Sequence, residues 1–284
     1  MFIKKFIILI LIINTIRSQN YFGSKGYTEF KTGNINILIS IPHDGGLKPV
    51  SIIDRPKEIN DTMPRDLNTR PFAEELAAEL NRLTFKTPFM VFNNLHRVKM
   101  EPNVQPNDSC SSLNVNKECE TAVNEYHNFI SGFKTNMSKV YKQLLIIDIH
   151  GNAHAENWTE LGYILSKFDL NKPVLANLTK SSVQGLNSLY NYGLERLIRG
   201  NISLGAFMQK FSYRVVPSPS ILSPGTGGYF NGGYITFKHK SINTNTIQME
   251  LASFIRRNST TSRYHAKNIA NAVYQFYNIH KFKI

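Results

Sequence analysis

Two stretches of the chain, NINILISIPHDGG and QLLIIDIHGN, each carry a short apolar run straight into a histidine that glycine follows within two residues. The runs at 35–41 and 144–149 are too short for helices and rich in Ile and Leu, the signature of strands covered on both faces. His43 and His150 therefore fall where two buried strands end. In an open α/β sheet those ends border the functional crevice, so two imidazoles far apart in sequence can converge there.

The remaining pattern alternates strands with helices. A helix is expected over 71–83, with Thr69 as its candidate cap, Pro71 in its first turn, Glu74 and Glu75 early, and Phe72, Leu76, Ala77 and Leu80 at helical spacing. PFMVFNN predicts a second strand, 122–143 a helix, 158–166 a strand, and 181–198 a helix. TIQMELASF reads as a further strand and 262–277 as a final helix. In TIQMELASF, Gln248 and Glu250 share one face, while Ile247, Met249 and Leu251 occupy the other. The segment 217–233, dense in Pro, Gly and Ser, includes GTGGYFNGG. It matches neither nucleotide-loop spacing, which leaves it as a mobile, Gly-hinged wall of a pocket. Together these elements predict one α/β domain with a mixed, mostly parallel central sheet and helices on both faces.

The start of the chain changes where this domain begins. MFIKKFIILILIINTIRSQN has a basic start, an apolar run shorter than the roughly 20 residues that span a bilayer, and Ser18 at a suitable cleavage point. Residues 1–18 thus read as a signal peptide and 19–284 as a secreted or secretory-pathway domain, with no membrane span after the leader is removed. Seven Asn-x-Ser/Thr sites, at Asn60, Asn107, Asn136, Asn157, Asn177, Asn201 and Asn258, fit passage through a glycosylating compartment. The two cysteines, Cys110 and Cys119, are placed to close one small disulfide loop there. The formal charge of +13 falls to about +10 without Lys4, Lys5 and Arg17 of the leader. Its scattered basic residues point to an anionic substrate, an extracellular polyanion or simple solubility before nucleic acid.

Two cysteines cannot build an all-thiolate zinc site, so a metal would rely on histidine and carboxylate. His43 and His150 supply nitrogen; Asp66 is the preferred third ligand, with Asp54 and Asp44 as rivals. HExxH spacing is absent. Asp148, on the same strand face as His150, suits a partner that orients an imidazole, and Glu250 beside a cleft suits a general base. Arg97 can polarise a carbonyl. His154 and Glu156 read as polar loop residues, and His127 as either a structural or a chemical group. GxSxG is lacking, which disfavours a serine hydrolase.

The ordered strings ISIPHDGG, RDLNT, NNLHRVKMEPN, IIDIHGN, GGYIT, KHKS and TIQMEL resemble the N-formylglutamate amidohydrolase family over most of the chain. The resemblance implies a zinc-peptidase-like (phosphorylase/hydrolase-like) α/β fold and a hydrolase that cleaves an amide in a small acylated or carboxylate-bearing substrate. It implies one zinc ion per chain on His43, Asp66 and His150, Glu250 as base and Arg97 as oxyanion stabiliser. Lys99, Asn103 and Tyr234 become substrate contacts, with Asp148 and Gln248 behind the ligands. The family commonly reads R-x-K-x-D-x-N-R, whereas this chain has Arg97, Lys99, Glu101 and Asn103, then Val104. Valine offers neither charge nor donor, so carboxylate binding should weaken by about 1.5–3 kcal/mol unless Lys99 or another cation substitutes. Formylglutamate itself is therefore a doubtful substrate, and a non-catalytic binding protein on the same fold is the alternative.

Overall fold

A computed structural model of the chain describes residues 18–56, 63–112, 116–175 and 179–282. The leader up to residue 17, Asn60 and Asn177 lie outside the described residues. The strands are β1 (Asn20–Phe22), β2 (Thr28–Lys31), β3 (Ile37–Ile41), β4 (Phe89–Asn93), β5 (Leu144–Gly151), β6 (Thr159–Gly162), β7 (Val215–Val216) and β8 (Thr244–Leu251). The helices are α1 (Thr69–Thr84), α2 (Lys117–Met137), α3 (Lys167–Leu170), α4 (Gln184–Tyr190), α5 (Leu194–Ile198), α6 (Leu204–Gln209), α7 (Tyr234–His239) and α8 (Ser259–Ile279). The strands form one sheet in the order β1-β2-β4-β3-β5-β8-β6-β7. Its centre, β4-β3-β5-β8, is parallel, and antiparallel pairs join β1, β2 and β6 to it. No helix among the described residues is long and apolar enough to cross a membrane.

Alternation along the central strands decides what each face holds. Ile37, Ile39, Ile41, Leu145, Ile147, Ile149, Ile247, Met249 and Leu251 share a core with Phe72, Leu76 and Leu80 of α1 and Ile269, Val273 and Phe276 of α8. Each such side chain taken from water contributes roughly 1.5–3 kcal/mol. On the opposite face Leu38, Leu144 and Ile146 pack with Tyr126, Ile130 and Phe133 of α2. Continuing along that face in steps of two, the residues become Ser40, Asp148, His150, Gln248 and Glu250. The apolar face thus turns polar at the strand ends, where these side chains are buried.

Several expected boundaries move for local reasons. Thr69 begins α1 rather than capping it; the cap position is Asn68, in the left-handed region at φ 66°. The side-chain cap comes from Asp44, whose Oδ2 accepts the Arg70 N–H at 2.9 Å. The helix expected over 181–198 is two, α4 and α5, broken where Asn191 and Gly193 take positive φ. α2 starts earlier and stops at Met137, and the short elements β1, β2, β7, α3 and α6 carry too little periodicity to read in advance. Cys110 and Cys119 form the expected disulfide.

α7 is tied to α2 by two buried histidines. His239 Nε2 donates to His127 Nδ1 at 3.0 Å, and His127 Nε2 donates to the Pro102 carbonyl at 3.1 Å. Burial, then the Lys238 charge, lowers the His127 pKa to about 4; burial, then His127, lowers His239 to about 2. A histidine depressed on folding contributes stability above its unfolded value near 6.5 that is lost as the pH falls toward its folded value. Thermal unfolding from pH 7.5 down to pH ~4 should therefore show a steeper drop in midpoint for the parent chain than for His127→Gln, whose amide does not titrate.

Candidate metal centre

Connectivity brings the two histidine-bearing strands side by side. From β3 the chain runs through α1 to β4 on one side, then through α2 to β5 on the other, so a switch point lies between β3 and β5. His43, just past β3, and His150, near the end of β5, meet there with ring centroids 4.6 Å apart. The loop before α1 delivers Asp66, whose backbone N–H donates to the His43 carbonyl at 3.1 Å. Asp66 Oδ2 lies 3.1 Å from His43 Nδ1 and 3.4 Å from His150 Nδ1, and it accepts the Gly151 N–H at 3.2 Å. One donor atom from each of the three residues falls within 4.8 Å of the others, all buried. Asp44, spent on α1 and Arg65, and Asp54, exposed and paired with Lys99, are removed from this set.

The far nitrogen of each imidazole meets its own carboxylate. His43 Nε2 donates to Glu101 Oε1 at 2.5 Å, and His150 Nε2 donates to Asp148 Oδ2 at 2.9 Å. Asp148 is fixed in turn by Ser40 Oγ at 2.7 Å, and Ser40 by the Tyr126 hydroxyl at 2.7 Å. A proton held on Nε2 leaves the Nδ1 lone pair of both rings for a cation. Burial opposes ionisation of Asp66, but His43 and His150 outweigh it and hold the carboxyl well below its ordinary range. Glu101 is likewise held low, against burial, by His43 and Arg97. Burial lowers the His150 pKa, but Asp148 and Asp66 outweigh it and hold the ring above its ordinary value, so a cation taken up at Nδ1 would displace protons. Two ring nitrogens and one ionised oxygen converging at a switch point fit a divalent metal ion of the kind that takes His and carboxylate ligands.

Glu250 stands next to His150 by the β5–β8 register, its Oε1 3.8 Å from His150 Nδ1. Gln248 Nε2 donates to that oxygen at 2.9 Å. Burial raises the Glu250 pKa to about 8, with His150 opposing and Asp66 and Glu160 reinforcing the rise. β8 lies inside the sheet rather than at its edge, which is why this carboxylate is buried. Arg97 donates to Glu101 Oε2 at 2.5 Å and its Nη1 lies 3.6 Å from Asp66 Oδ1. Arg97, Asn103, Gln248 and Glu250 line a cleft of about 150 Å³ with the three candidate ligands, Gly151 and the segment Phe230–Gly233.

Other expected contacts lie elsewhere. Lys99 reaches away from the cleft, its Nζ 2.6 Å from both the Ile52 carbonyl and Asp54. Tyr234 is not among the lining residues; its ring packs edge-on to His127. His154 bonds Glu160 at 2.6 Å and stacks on Phe230, Glu156 accepts the Gly228 N–H, and His127 has the structural partners described above. The glycine-rich segment contributes Phe230–Gly233 to the pocket wall, and three bonds tie it to its neighbours: Phe230 N–H donates to Glu160, Trp158 Nε1 to the Gly228 carbonyl, and Ile164 N–H to the Asn231 carbonyl. Sequence reasoning placed Glu101 in the R-x-K-x-D-x-N-R motif but missed it as the partner of His43; its spacing of four from Arg97 was a further signal.

No family model matches the sequence, and no curated protein matches it significantly. Among solved structures, the chain is similar to the N-formylglutamate amidohydrolase from Ralstonia eutropha JMP134 at TM-score 0.51 and 9% identity, covering 89% of this chain and 97% of that one. It is similar to the gene product Atu2144 from Agrobacterium tumefaciens at TM-score 0.53 and 10% identity, covering 89% and 96%. The shared property is the fold, a single α/β domain of amidohydrolase-like architecture.

Glu101→Gln should weaken zinc binding roughly 10- to 100-fold, because an amide orients His43 less strongly and adds no basicity. Competition with a chromogenic chelator measures this directly; an affinity unchanged from the parent would remove Glu101 from the centre.

Proposed function

We propose that the chain is a secreted zinc-dependent amidohydrolase that cleaves an amide bond in a small acylated amino acid or related carboxylate-bearing molecule. The observation that carries this reading is the convergence of His43, Asp66 and His150 beside a buried Glu250 at the mouth of a parallel sheet. The zinc ion they would hold supplies Lewis acidity toward a carbonyl oxygen and makes bound water a nucleophile near neutral pH.

The chain's own residues then have distinct parts. Glu250 in its ionised form, which a cation held by the neighbouring His150 and Asp66 would favour, takes a proton from the attacking water and delivers it to the departing nitrogen, so that one amide and one water leave as an acid and an amine. Gln248 holds the Glu250 carboxylate in one rotamer through its 2.9 Å bond. Arg97, oriented by Glu101, directs positive charge at the oxygen on which charge develops. Asn103 lends an amide to the lining of the cleft. Secretion is supported by the leader-like start, the disulfide, and the exposure of the five described sequon asparagines, Asn107, Asn136, Asn157, Asn201 and Asn258.

Protein purified without chelator should contain close to one zinc per chain, and hydrolysis of a panel of N-acyl amino acids should cease on its removal. Glu250→Gln should keep the metal and lose about 100-fold or more in turnover. Zinc below about 0.2 equivalents under these conditions would overturn the metal chemistry, whereas full zinc with no turnover by the parent would favour a binding protein.

A further inference from the structure

Arg256 closes a short 3-10 turn, Ser253–Arg256, just beyond β8. Its Nη1 donates to the Leu67 carbonyl at 2.7 Å and its Nη2 to the Asn152 carbonyl at 3.2 Å. Leu67 directly follows Asp66, and Asn152 is the second residue after His150. One guanidinium therefore bridges the two segments that bring an acidic and an imidazole ligand to the same point. Between its anchors it passes over Gly151, where an added Cβ would lie 2.1 Å from Nε and 2.3 Å from Cζ. Gly151 in turn donates its N–H to Asp66 Oδ2 at 3.2 Å.

The Nε atom of Arg256 is buried and has no hydrogen-bond partner among the described residues. A side chain that leaves one buried donor unmatched while two others reach separate loops is held by those loops, not by its own solvation. The planar fork of arginine can meet two carbonyls at once, which the single nitrogen of lysine does less well. Arg256 is not among the residues lining the cleft.

We propose that Arg256 is a positioning residue for the metal centre: it clasps the Asp66 loop to the exit of β5, and position 151 is glycine because the clasp crosses it. This inference rests on the reading of His43, Asp66 and His150 as metal ligands.

The test is a double-mutant cycle read as zinc affinity by chelator competition, with thermal unfolding in excess chelator as the control for structure. Arg256→Ala should weaken zinc binding about tenfold and move the chelator-treated midpoint by no more than a few degrees. Arg256→Lys should recover only part of the loss. Gly151→Ala should weaken binding in the parent, yet add nothing in the Arg256→Ala background, because the space is then free. Unchanged affinity in Arg256→Ala, strictly additive losses in the double variant, or an equal fall in metal-free stability would each overturn the clasp. Should Arg256→Ala fail to fold, weaker zinc binding by folded Arg256→Lys and Gly151→Ala supports the clasp, and parent-like affinity in both overturns it. Absence of zinc from the parent itself would instead remove the metal reading and this inference with it.

Discussion

Ionisable groups gathered out of water dominate this structure: His43, Asp66, Glu101, Asp148, His150 and Glu250 are all buried at the ends of parallel strands. Isolated charges in such a place are prohibitively costly, so each must be matched by a partner. The chain supplies those partners in layers. Carboxylates meet imidazoles, Arg97 meets Glu101, Ser40 and Tyr126 meet Asp148, and backbone N–H groups of Gly151 and Asn103 meet Asp66 and Glu101. Even so, acids outnumber fixed cations in the cluster, and a divalent cation is what such a surplus is suited to hold.

This arrangement depends on register more than on any one bond. β5 pairs with β3 so that Ser40 faces Asp148, and with β8 so that His150 faces Glu250. A slip of one residue in either pairing would turn the polar side chains into the apolar layer beneath α1 and α8. The continuous Ile and Leu positions of the strands thus perform two tasks at once, filling the core and fixing which face the chemistry occupies.

The central elements were legible because their signals are strong. The apolar runs before His43 and His150, the alternation in TIQMELASF and the α1 periodicity all survive as β3, β5, β8 and α1. His43, His150 and Glu250 could be singled out because strand exits in this fold class border a crevice, where the three meet. Asp66 had to be chosen among three acids, since loop geometry has no period to read; only the folded chain shows Asp44 turned to α1 and Asp54 turned to Lys99. Lys99 and Tyr234 lie outside the cleft lining, which the sequence could not show for the same reason, as short-range spacing says little about which way an irregular segment points. Glu101 was visible in the motif, but its pairing with His43 was not, because the two are distant in sequence. The two short strands at the start of the sheet are held by antiparallel pairing, β1 with β2 and β2 with β4, rather than by their own composition.

The wall over the cleft is fastened to β6 and its flanks by the bonds of Phe230, Gly228 and Asn231. Its glycines serve close packing, since a Cβ on Gly227 or Gly228 would strike Trp158 or His154. The aperture is therefore rimmed by a wall bonded to the sheet beneath it. What reaches the buried groups beneath is screened by the outline those bonds hold.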